Sequence, residues 1–397
     1  MNVGIKGKEI FGEIDAIPSK SYAHRIAICN FFAGNEPVSH CNGFTSNDIL
    51  VTENCLKDIK NGKFVLDCGE SGSTLRFLIP LTASIGGEFE FIGHGKLMER
   101  PNEELFSVLN AHGVKTQKTD RIKISGKLSA GEYRIRGDIS SQYVSGLLMA
   151  LPSLNGDSKI VLTTPLVSSP YVDITLEVLK SFGVKIEKTD YGFYVYGNAK
   201  YNGGILPEGD WSNSAFFLVL GAVCGSVKVK GLNVESMQGD RYITEIIKKS
   251  GAKITIQKDG VTVQKSALKG FTFDAENCPD LVPIASVLAG FANGKTVIKN
   301  IQRLKIKESD RVQTTIETLK GFGIKAESDG NDLIVYGGTA TCGKADGFND
   351  HRIVMSASVL ACGVNGESVI TGAQAVNKSY PTFFKDFNKV GANSYEL

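Results

Sequence analysis

The chain of 397 residues is short of the features that mark several large protein classes. Its eight cysteines, at 29, 41, 55, 68, 224, 278, 342 and 362, form no C-x-x-C pair, and none lies beside a set of histidines. A disulfide framework or a metal site is therefore not expected, which leaves small free thiols. No apolar run reaches eighteen residues, and the opening "MNVGIKGKEIFGEIDAI" has no apolar signal core. The expectation is a cytoplasmic protein with no membrane span. The formal net charge is only +2, which argues against a general nucleic-acid or membrane-surface binder. Neither a Walker-A loop nor a G-x-S-x-G turn occurs. What remains is a globular composition, 42% hydrophobic and 22% charged, in a chain too long for one ordinary core.

Internal repetition is the strongest positive signal. One element is an amphipathic helix that stops at glycine and leads into a strand. It reads "LNAHGVK", "LKSFGVK", "IKKSGAK" and "LKGFGIK", with weaker copies at both ends of the chain. Its glycines are 62, 113, 183, 251, 323 and 391. A second element, an apolar helix followed by glycine, a polar residue and a strand, interleaves with the first. Its glycines are 34, 87, 156, 225, 294 and 366. Glycine after the last helical turn is a left-handed stop. Hairpins such as "VKIEKTDYGFYVYG" follow the first element. The unit reads βαβαββ, six times over, an α/β protein of two domains with three repeats each. "YNGGILPEGD" (201–210) is the best boundary, and a strand over about 3–14 fills the gap in the last copy. The domains are then 15–208 and 1–14 plus 209–397.

The second-element helices start at "PSKSYAHR", "CGESGSTLR", "GDISSQY", "EGDWSNS", "CPDLVP" and "NDHR". The first three are rich in Ser, Gly and basic residues, the makings of an anion site at a helix N-terminus. The last three carry Asp210, Asp280 and Asp350 at equal steps. Each aspartate fits an ordinary N-cap. "RLKIKESDR" (303–311) crowds charges before a further helix, with Ser309 or Asp310 as its cap. "LMERP" and "NKSYP" place Arg100 and Lys378 in loops near prolines. Such lone Arg, Lys and Ser residues suit a small, multiply anionic substrate.

Taken in order, "PSKSYAHR", "GESGSTLR", "ERP", "SSQ", "SSPYVDIT", "DWSNSAFF", "SMQGD", "PDLVPIA", "KIKESDR", "NDHR" and "KSYP" span residues 18 to 381. The ordered set resembles the 5-enolpyruvylshikimate-3-phosphate synthases, the enolpyruvyl transferases of the shikimate pathway. That resemblance implies two domains of three βαβαββ units, an inside-out α/β barrel arrangement with the active site in the interdomain cleft. It implies transfer of the enolpyruvyl group of phosphoenolpyruvate to the 5-hydroxyl of shikimate 3-phosphate, with release of phosphate. It implies no cofactor, no metal, no nucleic-acid or membrane partner, and a monomer.

On matching positions, Ser140, Ser141 and Ser168 would hold the substrate phosphate, while Ser21 and Arg25 would hold the shikimate carboxylate beside Tyr171. Lys20, Arg100, Gln142, Arg311, Arg352 and Lys378 would surround phosphoenolpyruvate, with Gly72 and Arg76 next to it. The shikimate 3-phosphate set would also include Lys20, Gln142, Asp280 and Lys307. Asp280 would be the base at the hydroxyl and Glu308 the acid at the methylene, with Lys20 sharing proton transfer. General-acid work by a carboxyl group near neutral pH calls for a raised pKa. Glu70 and Ser71 depart from the family's usual Asn and Ala, so Glu70 is expected to point away from the anions or to pair with a cation. Arg303 and Lys305 depart likewise. The rival readings are an enolpyruvyl transferase acting on UDP-N-acetylglucosamine, an inactive homologue, and a repeat-built binding module. The first is disfavoured because "GHGKLMERPNEEL" (93–105) contains no cysteine.

Overall fold

The computed structural model describes residues 1–39 and 43–397, so Cys41 lies outside it. Among the described residues are twelve α-helices, two per repeat. One series comprises Lys20–Phe32, Gly72–Ile85, Ser141–Ala150, Trp211–Cys224, Val282–Gly290 and His351–Cys362. The other comprises Asn47–Lys60, Glu103–Asn110, Ser169–Ser181, Ile243–Lys249, Arg311–Gly321 and Phe383–Lys389. The glycines that follow this second set have φ of 74, 90, 73, 85, 78 and 103°. All six are left-handed, a region open to glycine at little steric cost.

Among the described residues, five four-stranded sheets share one plan, a parallel pair extended by two antiparallel strands. Val65–Asp67 runs parallel to Gly87–Ile92, which pairs antiparallel with Ile122–Gly126, and that strand pairs with Val114–Lys118. The first repeat is abbreviated: it supplies two helices and, among the described residues, no sheet of its own. The glycine spacing explains this. Gly62 to Gly113 is some twenty residues shorter than the later steps, the length of a missing hairpin.

The N-terminal segment departs from the single strand expected over about 3–14. Val3–Lys6 inserts between Glu367–Thr371 and Asn393–Glu396, antiparallel to both, and completes the sheet of the sixth repeat. Ile10–Asp15 instead runs parallel to Gly225–Lys230 in a different sheet. The chain breaks between them at Gly7, where a Cβ would sit 1.7 Å from the Val364 carbonyl oxygen. Only glycine fits that approach.

By internal contacts the chain divides into two compact units, Lys20–Pro207 and Met1–Ser19 with Glu208–Leu397. In the second unit Trp211–Cys224, Val282–Gly290 and His351–Cys362 pack against one another. Every residue of Val282–Gly290 and of His351–Cys362 is buried. A helix covered on all sides belongs to a core rather than a surface. Trp211, Phe216 and Phe217 fill this core, and each large apolar side chain contributes about 1.5–3 kcal/mol on burial. In the first unit Gly72–Ile85 crosses Ser141–Ala150 closely. A Cβ at Gly146 would lie 2.7 Å from the Arg76 carbonyl oxygen. Among the described residues no helix is long and apolar enough to cross a membrane.

Candidate active site

The polar residues singled out above gather at the starts of the buried helices, one group in each unit. In the unit Lys20–Pro207, Ser71 and Ser140 cap their helices by accepting from the backbone N–H of Thr74 and Gln142. Ser168 precedes the helix Ser169–Ser181 in the left-handed region, at φ 52°. A serine there is strained by roughly 1–3 kcal/mol, and such strain collects at functional sites. Ser140, Ser141 and Ser168 are all buried.

Arg25, only 3% exposed, is held from every side by neutral groups. Its Nε donates to Thr175 Oγ1 at 2.7 Å and its Nη1 to the Ser21 carbonyl at 2.6 Å. Its Nη2 donates to Ser145 Oγ at 3.3 Å and to the Tyr171 carbonyl at 2.9 Å. Burial without a carboxylate partner pulls its pKa down to about 10. Arg76 donates to Gln142 Oε1 (2.8 Å), to Asn102 Oδ1 and to the Pro101 carbonyl. Gln142 in turn donates to Ser73 Oγ at 2.9 Å. The Arg100 guanidinium lies over Gly72, where a Cβ would meet its Nη1 at 2.5 Å. Lys20 is paired with Asp48 at 2.7 Å. Glu70 turns its carboxylate toward Gly95, where a Cβ would lie 2.8 Å from Oε2. His24 is buried, with Nδ1 2.8 Å from Thr52 Oγ1. Burial, then Lys20 and Arg25, hold its pKa well below the usual imidazole value.

The other unit assembles cations and carboxylates together. Asp280 stands in the short turn Pro279–Leu281. Its Oδ1 lies 2.8 Å from Arg311 Nη1 and 3.5 Å from Lys307 Nζ, and its Oδ2 lies 2.9 Å from Arg352 Nη2. Burial alone would push its pKa up. Arg352, Lys307 and Arg311 overcome that and hold the carboxyl well below its usual range. Lys307 moves down, chiefly by burial, with Asp280 opposing.

Arg311 is the hub. Beyond Asp280, it donates from Nη2 to Glu308 Oε2 at 2.6 Å and from Nε to Asp350 Oδ2 at 2.8 Å. Burial opposes its charge, but Asp350, Glu308 and Asp280 more than offset this, and its pKa is raised. Asp350 also caps His351–Cys362 through the Arg352 N–H, and Asp210 caps Trp211–Cys224 through the Asn213 N–H. Asp310, rather than Ser309, caps Arg311–Gly321. Ser309 Oγ donates to Asp350 instead, at 3.0 Å. Lys378 Nζ donates to the Asn349 carbonyl at 2.6 Å, and Asn349 is itself left-handed at φ 53°.

Three acidic residues had no functional role in the sequence reading. Asp350 looked like a plain cap, although its place beside Arg352 in "NDHR" was a usable signal. Asp240 closed the quoted motif "SMQGD" without a task. Asp48, the partner of Lys20, had no signal at all, because its pairing spans 28 residues.

The arrangement can hold anions on one group of helix starts and move protons among ion-paired carboxylates on the other. The family model for EPSP synthase (3-phosphoshikimate 1-carboxyvinyltransferase) matches residues 47–387. A 3-phosphoshikimate 1-carboxyvinyltransferase from Clostridium novyi is 39% identical, covering 98% of this chain and 97% of its own. One from Clostridioides difficile is 34% identical, covering 96% of each. In fold, the chain matches an EPSP synthase from Acinetobacter baumannii over its full length, at TM-score 0.80 and 24% identity. It also matches the enolpyruvyl transferase NikO from Streptomyces tendae at TM-score 0.78 and 15% identity, covering 100% of this chain and 98% of that one. Full-length identity at this level, with every motif in order, leaves one assignment: the chain belongs to the EPSP synthase (3-phosphoshikimate 1-carboxyvinyltransferase) family.

Proposed function

We infer that this chain transfers the enolpyruvyl group of phosphoenolpyruvate to the 5-hydroxyl of shikimate 3-phosphate and releases phosphate, as a step of aromatic amino acid biosynthesis. The observation that carries this is the full-length membership just described. On this reading Ser140, Ser141 and Ser168 take the phosphate of shikimate 3-phosphate. Ser21 and Arg25 take its carboxylate beside Tyr171. Lys20, Gly72, Arg76, Arg100, Gln142, Arg311, Arg352 and Lys378 serve phosphoenolpyruvate. The enzyme works as a cytoplasmic monomer.

The geometry supplies a reason for the order of events. With no anion bound, Asp280 is a poor base, because three cations stabilise its ionised form. The carboxylate and phosphate of phosphoenolpyruvate compete for Arg311 and Arg352. As those cations turn to the ligand, Asp280 loses two of its three stabilising partners and gains proton affinity in a buried place. It can then take the proton of the 5-hydroxyl as the oxygen attacks C2. Glu308, released from the same guanidinium, takes up a proton from solvent and passes it to the methylene carbon, and Lys20 shares proton transfer. The tetrahedral adduct that results loses phosphate when the proton roles reverse. The cations meanwhile stabilise the departing anion.

The test is phosphate release from phosphoenolpyruvate with shikimate 3-phosphate, run beside UDP-N-acetylglucosamine. Turnover with the first acceptor alone is expected. Turnover with UDP-N-acetylglucosamine alone, or with neither, would overturn the assignment.

A further inference from the structure

His24 takes no part in the reaction so assigned, yet it heads a chain of buried hydroxyls that ends beside Gly72. It stands one turn beyond Lys20 on the helix Lys20–Phe32 and is 1% exposed. Its Nδ1 lies 2.8 Å from Thr52 Oγ1 on Asn47–Lys60. That oxygen lies 2.6 Å from Thr74 Oγ1 on Gly72–Ile85. Thr74 Oγ1 in turn donates to Ser71 Oγ at 2.7 Å. Thr52 and Thr74 are fully buried, and Ser71 is 2% exposed. The chain joins three helices within the unit Lys20–Pro207.

Proton counting gives the chain a direction. A hydroxyl has one proton to donate and two lone pairs to accept with. Thr74 spends its proton on Ser71, so the short contact between the two threonines uses the proton of Thr52. Thr52 then has none for His24, and the imidazole must donate from Nδ1. The competing acceptor is the Asp48 carbonyl. It lies farther off, 3.2 Å from Thr52 Oγ1 and 3.5 Å from Thr74 Oγ1. Burial, then Lys20 and Arg25, keep the His24 ring neutral, so Nε2 carries no proton. Nε2 is buried and without a hydrogen-bond partner, a place less costly for a bare lone pair than for an orphaned N–H.

At the far end one proton is left over. Ser71 Oγ accepts from the Thr74 hydroxyl and, at 3.2 Å, from the Thr74 N–H. Both of its lone pairs are filled, and its own proton meets no acceptor among the described residues. A buried donor in that state is costly unless something completes it. Ser71 immediately precedes Gly72, over which the Arg100 guanidinium lies. A donor beside a guanidinium is completed by an anionic oxygen. The alanine usual in the family at this position has no hydroxyl to offer.

We propose that the Ser71 hydroxyl is a further binding group for phosphoenolpyruvate, donating to one of its anionic oxygens, with Thr74, Thr52 and His24 as the positioning residues that leave its proton for the ligand. This rests on the reaction inferred above. In the opposite arrangement Nδ1 is bare, Thr52 donates to His24, Thr74 to Thr52 and Ser71 to Thr74. The Ser71 proton is then spent inside the protein and the ligand gains nothing from it.

The decisive measurement is KM for phosphoenolpyruvate, read against kcat and KM for shikimate 3-phosphate. Ser71→Ala should raise KM for phosphoenolpyruvate about tenfold, the loss of one hydrogen bond to a charged group, with the other two constants nearly unchanged. Ser71→Thr keeps the hydroxyl and should restore the parent value. Thr74→Val keeps the shape but leaves Ser71 unguided, so it should raise the same KM by less. Added to Ser71→Ala, it should raise that KM no further. If Ser71 only caps its helix, Ser71→Ala will lower the melting temperature and leave KM in place. If Thr74 acts independently, its effect will multiply with that of Ser71→Ala. Either result overturns the proposal. A second readout needs no turnover. In 15N-labelled histidine, the signals absent from His24→Asn should show a neutral ring protonated at Nδ1. Protonation at Nε2 instead reverses the chain and sinks the proposal. If the parent turns over neither acceptor, the reaction assignment fails while this tautomer still decides the direction of the chain.

Discussion

Arg25 and Arg311 are the same side chain, equally buried, in opposite surroundings. Arg25 is satisfied by hydroxyls and backbone carbonyls, and burial drags its pKa down. Arg311 is satisfied by Asp280, Glu308 and Asp350, and its pKa rises. Hydrogen bonds to neutral groups meet the geometry of a guanidinium but leave its charge uncompensated. Carboxylates meet both. One unit thus keeps an unspent positive charge that an anionic substrate would complete. The other is already neutralised, so on the proposed reaction an anion would displace a carboxylate to bind. Displacing that carboxylate is what would turn it into a base.

Four substitutions probe this contrast, from the largest expected effect downward. Asp280→Asn keeps the shape of the cluster but cannot take a proton. Its kcat should fall roughly 10²–10⁴-fold with the fold intact by circular dichroism. Near-normal turnover would remove Asp280 as the base. Arg311→Met strands buried carboxylates beside an apolar side chain and should destabilise the protein by about 3–5 kcal/mol in denaturant melts. Arg25→Met strands no opposite charge, so its loss of stability should be clearly smaller. Its binding of shikimate 3-phosphate should weaken by about 1.5–3 kcal/mol, measured by calorimetry. Equal destabilisation by the two arginine variants would erase the distinction between the clusters. Asp48→Asn touches only a partly exposed pair with Lys20 and should change stability by at most about 1 kcal/mol.

Asp240 adds a pH signature to the neutralised unit. It binds its proton more tightly in the folded chain than in the unfolded one. Its contribution to stability is therefore full below the ordinary carboxyl value of 3.8 and is lost as pH rises through about 7. The melting temperature of Asp240→Asn relative to the parent should climb across that window and level off above it. A difference independent of pH would show that Asp240 does not titrate there.

The sequence made much of the architecture legible because its signals are local. Glycine stops recur at near-constant spacing, and each marks a left-handed turn that a single residue decides. Asp210 and Asp350 cap the helices they precede, through N–H groups two or three residues on. The sequence reading gave the full unit six times, and the short first glycine interval marks the repeat that departs from it. The N-terminal segment was harder to read, because the partners of its two strands lie more than two hundred residues away. Residue pattern alone does not choose between distant sheets.

The same limit separates Asp210, Asp280 and Asp350. By themselves, their equal spacing and similar neighbours determined that each would stand at a helix start. Only the tertiary structure made Asp280 the acceptor of three cations, made Asp350 both a cap and a partner of Arg311, and left an oxygen of Asp240 without a donor. Capping is settled within one turn of chain. An ion pair between residues 31 to 72 positions apart exists only once the buried helices have packed and brought their starts together.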